Sequence, residues 1–254
     1  MDRLIYTAMT GASQTLDEQA TVANNLANTS TSGFRAQLSA FRAVPLKTQD
    51  QLSANNNDVT RTYVLSSTPT PDYTPGIIQK TGNPTDLAIQ GDGWFAVQTE
   101  AGQEAYTRNG TFHVDENGQL VDSQNRVVLG NGGPISVPPG GTISFGQDGT
   151  ISELGGGDSP NQIAVMDKLK LVNPGNANMV RGDDGLFRTS SGQPADDDPT
   201  VQVVSGAVET SNVNPVEAMV SMISNARQFE MQMKMLSTAD SNEQSANALL
   251  NFSS

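Results

Sequence analysis

The stretch Asn214-Pro215-Val216-Glu217-Ala218-Met219-Val220-Ser221-Met222 opens the most legible segment of this 254-residue chain. Asn214 is a residue type that caps helices. Pro215 suits the first helical position, where its missing N–H would have no partner, and Glu217 stands three residues after the cap. From there Met219, Met222, Ala226, Phe229, Met233 and Leu236 recur at alternating spacings of three and four, the seam of a coiled-coil helix. The pattern predicts a helix over 214–250, about 55 Å long at 1.5 Å per residue. A compact chain of this length has a radius of gyration of about 18 Å, so such a helix overhangs any globule that the rest could form.

The other end follows the same rule. Residues 2–28 contain no proline, and Ile5, Met9, Ala12, Leu16, Ala23 and Leu26 recur at helical spacing, with Gln19 in the missing seam position. Asp2 is the expected N-cap and Gly33 lies past the expected end. Two long helices at the chain ends are expected to pair as a rod. They are built from poor formers such as Thr, Ser and Asn, with Gly11 in the interior, each costing up to about 1 kcal/mol relative to Ala. The ends are therefore expected to be partly disordered in a monomer and to order when neighbouring subunits cover them.

Between the helices, short apolar alternations are separated by Gly, Asn, Asp and Pro, the texture of β structure. Asn117-Gly118 and Asp148-Gly149 stand between alternating runs and predict two-residue hairpin turns. The reading is α+β: a rod helix at 1–34 pairing with 214–254, an extended connector at 35–80, a mostly antiparallel β domain at 81–205 and a return connector at 206–213.

Charge is unevenly spread. Residues 1–46 carry three basic and three acidic groups, 47–213 nine and twenty, and 214–254 two and four, for a net −13. An acidic middle repels phosphate backbones and anionic membranes, and near-neutral ends can pack against copies of themselves. Nucleic acid is excluded as a partner on these grounds. The longest apolar runs, Trp94-Phe95-Ala96-Val97 and Ile163-Ala164-Val165-Met166, are far below the roughly 20 residues that span a bilayer, so no membrane insertion is expected. The start Met1-Asp2-Arg3-Leu4-Ile5-Tyr6-Thr7 lacks the pattern of a cleaved signal.

Chemistry is hard to assemble from these residues. With no cysteine, thiolate catalysis and thiolate metal sites are excluded. His113, the sole histidine, lacks partner ligands of its own kind. Asp196-Asp197-Asp198 lacks the ligand alternation and distal glutamate of a calcium loop. Gly91-x-Gly93 is too short for a dinucleotide fingerprint, and Arg181-Gly182-Asp183 is the kind of tripeptide that chance supplies. Asp183 and Asp184 are paired carboxylates of unknown separation. No catalytic residue, metal or cofactor is expected.

The run Ala20-Thr21-Val22-Ala23-Asn24-Asn25-Leu26-Ala27-Asn28-Thr29-Ser30-Thr31-Ser32-Gly33-Phe34-Arg35 resembles the signature of bacterial flagellar rod and hook proteins. Two further blocks agree in order: 89–95 with 106–112, and Gly206-Ala207-Val208-Glu209-Thr210-Ser211-Asn212-Val213. Arg227-Gln228-Phe229-Glu230, where distal-rod members carry Tyr in the third place, and Trp94, where the wider family more often has Phe, resemble proximal-rod members. The resemblance implies a structural subunit, exported without a cleaved signal through the flagellar type III apparatus and polymerising through its terminal helices into a torque-transmitting tube across the periplasm. Its implied partners are copies of itself, proximal-rod subunits below, a distal-rod subunit above, the rod cap and the export apparatus. It further implies that Asn24, Asn25 and Asn28 bond backbone groups where the first helix ends, that Gly33 lets the chain turn and that Phe34 anchors it. Leu26, Ala27, Ser211, Asn212 and Val213 complete the motif positions. A distal-rod or hook subunit, and a secreted β-rich hydrolase or adhesin, are the alternatives.

Overall fold

A computed structural model describes residues 2–45, 62–66, 69–138, 142–154 and 164–251. Two compact units emerge, Met1–Ala27 with Gln37–Asp72 and Asn214–Ser254, and Asn28–Ala36 with Tyr73–Val213.

The first unit holds two helices, α1 (Asp2–Ala27) and α2 (Pro215–Asn251). Asn214 caps α2 as its residue type predicts, its Oδ1 accepting from the N–H groups of Val216 at 3.1 Å and Glu217 at 3.4 Å. Asp2, expected outside α1, is already within it. The helices pack side by side, but not along the expected seam. On α1 the inward line runs through Ala8, Ala12 and Thr15, all buried, and the half-buried Gln19, Val22 and Leu26; on α2 it runs through Ala218, Met222, Asn225, Phe229, Gln232, Leu236 and Ala239. The spacings are again three and four. Every second member has moved to the adjacent residue, leaving Met9, Leu16, Met219 and Met233 at 53%, 49%, 53% and 46% exposure. Small side chains explain the shift, because Ala8, Ala12, Ala218 and Ala239 let the axes approach where Met and Leu would hold them apart.

The expected connector is more regular than its composition suggests. Phe41–Pro45 pairs antiparallel with Thr62–Ser66, and Gln37–Leu38 with Thr70–Pro71. Its polar centre, 46–61, lies outside the described residues.

In the second unit every strand pairing among the described residues is antiparallel, as expected. A five-stranded sheet runs in the spatial order Leu171–Val172, Trp94–Gln98, Glu104–Thr107, Phe187–Thr189, Met179–Arg181. The strand Trp94–Gln98 is buried on both faces, which is why its sequence is an unbroken apolar run. Phe95 and Val97 enter the larger core with Leu87, Phe112, Leu120 and Ile151, while Trp94 and Ala96 enter a second cluster with Tyr106, Met179 and Phe187. Phe95 and Phe112 meet edge to face at 5.1 Å. The other apolar run, Ala164 and Val165 onward, forms a strand whose first two residues are exposed.

Both expected hairpins form, with a different turn. Phe112–Val114 pairs with Leu120–Asp122, and Thr142–Phe145 with Thr150–Leu154. The loops close through Asp115 N–H to Gln119 O at 2.9 Å and Gly146 N–H to Thr150 O at 2.8 Å, enclosing three residues rather than two. Only Gly118 and Gly149 take positive φ, 79° and 83°, the pattern of a type I turn with a glycine bulge. Asp115 stabilises its loop by accepting from the N–H groups of Gln119 and Asn117, which holds its carboxyl below the usual range.

Phe95→Ala is expected to cost about 3–5 kcal/mol, the range for emptying a buried aromatic site, measured as a lowered urea midpoint of the β-rich unit. A loss below about 1 kcal/mol would mean that the two-faced burial of this strand does not hold the unit together.

Candidate assembly site

In the first unit the candidate elements are the outward faces of the helices and the end of α1. Tyr6, Met9 and Leu16 on α1, and Val216, Met219, Val220, Ile223, Met231, Met233 and Met235 on α2, are large apolar side chains left open to solvent. Each is about half exposed, so covering it contributes about 1 kcal/mol, and the two helices together hold a large uncovered apolar surface. Of the sequence-derived seam residues, Ala12 is buried, Ile5, Ala23, Leu26, Met222, Phe229 and Leu236 are half-buried, and Met9, Leu16, Met219, Ala226 and Met233 face outward.

The motif asparagines act differently from one another. Asn25 donates from Nδ2 to Gln37 O and accepts at Oδ1 from Gln37 N–H, both at 2.8 Å. The side-chain amide thus imitates a neighbouring strand and ties the last turn of α1 to the chain twelve residues on. Asn24 and Ala27 are exposed, and Leu26 is half-buried.

The rest of the motif belongs to the second unit. Asn28 O accepts from Thr31 N–H at 3.2 Å and its Oδ1 from the Thr31 hydroxyl at 3.1 Å, making a turn. Gly33 follows with φ +67°, its N–H donating to Glu209 O at 2.8 Å. A Cβ at Gly33 would strike the backbone of Arg108 and Asn109, so glycine is required twice over, by φ and by space. Phe34 is buried beneath the Arg181 guanidinium, which lies 4.7 Å from its ring centroid and also donates to Arg35 O at 3.1 Å. Asn212 accepts from Ala36 N–H at 2.7 Å, donates to Thr74 O at 3.0 Å, and its own N–H reaches Phe34 O at 3.3 Å. Ser211 Oγ accepts from Val213 N–H at 3.2 Å.

Beneath this loop lies a buried ion cluster. Arg35 Nη1 is 2.6 Å from Glu209 Oε1 and donates to Thr74 O at 2.8 Å; Arg108 Nε is 3.5 Å from Glu209 Oε2 and its Nη2 donates to Gly91 O at 2.5 Å. Gly76 N–H also donates to Glu209 Oε1 at 2.8 Å. All three side chains are at least nine-tenths buried. Burial lowers the proton affinity of Arg108; Glu209 opposes that shift and Arg35 adds to it. None of the three was singled out from sequence, although each stands inside a block that carried the family resemblance. The signal was a charged residue amid apolar and glycine-rich surroundings. Its partner could not be read, because the three lie far apart in the chain. Glu209 belongs to the strand Ala207–Glu209, which pairs with Ile78–Lys80, so the expected return connector contains a sheet strand.

The residues weighed for chemistry take structural parts. His113 is exposed on a strand, and no group of three or more potential metal ligands occurs among the described residues. Asp197 accepts from Leu171 N–H and Asn131, Asp198 from Thr200, and Asp184 pairs with Arg188 at 2.6 Å. No helix among the described residues is long and apolar enough to cross a membrane.

Glu209→Gln should destabilise the second unit by about 3–5 kcal/mol, since it leaves two buried guanidiniums without their counter-charge. Chemical denaturation measures the loss, and Gly33→Ala should lower the midpoint as well. An unchanged midpoint in both variants would deny the cluster and its glycine any part in holding the loop.

Comparison with known proteins bears on the whole chain. The family described as "Flagella basal body rod protein" matches residues 5–35, "Flagellar hook protein FlgE/F/G D1 domain" matches 88–153, and "Flagellar basal body rod FlgEFG protein C-terminal" matches 204–249. The chain is 51% identical to the flagellar basal-body rod protein FlgF of Salmonella typhimurium and 52% identical to that of Escherichia coli, with each pair covered over 100% of both sequences. It is 31% identical to the rod protein FlgG of Buchnera aphidicola from Schizaphis graminum, over 86% of this chain and 88% of that one. The chain therefore belongs to the FlgF family of flagellar basal-body rod proteins, structural subunits of that rod and not enzymes.

Proposed function

We propose that the chain is a proximal-rod subunit that polymerises through its two terminal helices, paired as a coiled coil, into a tubular shaft that transmits torque. The observation that carries this reading is the outward apolar face of the helix pair. Seven large apolar side chains on α2 and three on α1 stand exposed, outside an inward line that Ala, Thr, Asn and Gln share with Val22, Leu26, Met222, Phe229 and Leu236. Such a pair has little reason to leave its hydrophobic side chains in water unless another molecule covers them. Contacts of this kind, repeated head to tail, generate an open helical array wherever the rotation between neighbours does not close a ring. The neutral charge balance of the ends removes the Coulomb penalty for that packing, while the acidic middle keeps the outer part soluble.

In this reading residues 1–34 and 214–254 form the inner tube, 81–205 the outer domain, and 35–80 and 206–213 the connections. Met9, Leu16, Met219, Ala226 and Met233 meet neighbouring subunits, and flexible thioethers suit contacts that differ slightly from one neighbour to the next. The partners are other proximal-rod subunits below, FlgG above, copies of the chain itself, the rod cap and the export apparatus. Export proceeds without a cleaved signal into a rod that crosses the periplasm. A distal-rod role is the weaker reading, because full-length identity to FlgF exceeds that to FlgG by about 20 percentage points.

Deleting 215–254 should abolish incorporation into basal bodies and cell motility. Met9→Glu combined with Met233→Glu should reduce both while leaving the urea midpoint of the β-rich unit unchanged. Hydrogen exchange on the dilute chain should find α1 and α2 less protected than the strand Trp94–Gln98, with protection rising on polymerisation. Motile cells carrying the double glutamate variant at normal rod occupancy would refute the assigned face.

A further inference from the structure

We infer that Gln232 sets the axial register between α1 and α2, with Gly11 and Thr15 as its seat. This stands whether or not the chain polymerises, since it concerns the packing of one chain's helices.

The inward line of the helix pair contains little that distinguishes one alignment from another. Ala8, Ala12, Ala218 and Ala239 are alike in size, and Val22, Leu26, Met222, Phe229 and Leu236 join them through apolar contacts that are non-directional. Gln232 breaks that degeneracy. Its amide lies against Gly11 so closely that a Cβ there would fall 2.9 Å from Nε2 and 3.3 Å from Cδ. Gly11 is the only glycine in either helix, and its cost in helix propensity is otherwise unexplained. Thr15, one turn on and buried, forms the polar wall of the seat. Its hydroxyl donates to Gly11 O at 3.0 Å and to Gln232 Oε1 at 3.4 Å. One turn away in either direction the floor position is Thr7 or Thr15, where a Cβ fills the space that the amide occupies over Gly11.

Asn225 provides an internal contrast. It stands seven residues before Gln232, at the same heptad position, and is buried, yet its Nδ2 has no hydrogen-bond partner among the described residues. A buried amide without a partner costs stability and specifies nothing, whereas one held in a shaped polar seat selects a register. Asn225 and Gln232 should therefore respond oppositely to replacement by leucine.

The chain has no cysteine, so a pair of spin labels can be introduced cleanly. Ser13→Cys and Ser237→Cys, both exposed, place one nitroxide on each helix. Pulsed dipolar spectroscopy on the full chain should give one narrow distance in the labelled parent and in Asn225→Leu. Gln232→Leu and Gly11→Ala should each add a population displaced by about 5 Å, one helical turn, with helix content by circular dichroism equal to or above the parent. Gly11→Ala is the safer arm for folding, since it introduces a better helix former, and its Cβ, 2.9 Å from Gln232 Nε2, turns the amide out of its seat and removes the register contact. If Gln232→Leu loses helix content, Gly11→Ala alone decides. A single unshifted distance in Gly11→Ala, or several registers already present in the parent, would overturn the inference.

Discussion

The Glu209 carboxylate is the point on which the β-rich unit turns. It takes Arg35, Arg108 and the Gly76 N–H, while the carbonyl of the same residue takes the Gly33 N–H. Three separate chain segments, at 33–35, 76 and 108, are thereby held to one residue. Burying ions costs several kcal/mol apiece, and two guanidiniums against one carboxylate leave Arg35 Nε and Arg108 Nη1 without hydrogen-bond partners among the described residues. An arrangement of that kind is a poor way to gain stability and a good way to fix position, because the charges tolerate few other geometries. What it positions is the loop from Asn28 to Ala36, on which Gly33 and Phe34 sit.

The helix-bearing unit works by the opposite economy. Alanine, threonine, asparagine and glutamine share its inward line with Val22, Leu26, Met222, Phe229 and Leu236, while five methionines, two valines and an isoleucine point to solvent. The β-rich unit has two apolar clusters sharing a strand that is buried on both faces. Apolar burial is thus concentrated in the β-rich unit and sparse in the helix pair, the distribution that the proposed assembly through the helices calls for. The hydrogen-bonding groups in that line carry a second benefit, since a polar side chain held in place discriminates between alignments where apolar contacts do not.

Much of this was written in local sequence. The start of α2 follows from Asn214 and Pro215, the hairpins from glycine placed between alternating runs, and the doubly buried strand from Trp94-Phe95-Ala96-Val97. The turns proved to be three residues long because one extra residue on the first strand's side, Glu116 in one and Gln147 in the other, stays in the loop. Every second seam position was displaced by one residue on both helices because apolarity was the guide, and α2 is apolar on more than one side. Nothing in Met219 or Met233 announces that Ala218 and Gln232 face inward instead.

Caps, prolines and glycines act across a single turn, so the boundaries of the helices and the positive φ of Gly33 are properties of short segments and can be read from them. The alignment of α1 on α2 and the meeting of Arg35, Arg108 and Glu209 are of another kind. Thr15 and Gln232 touch across 217 positions, and whether an amide finds a glycine at that distance depends on steric fit that exists only after both helices have been laid together.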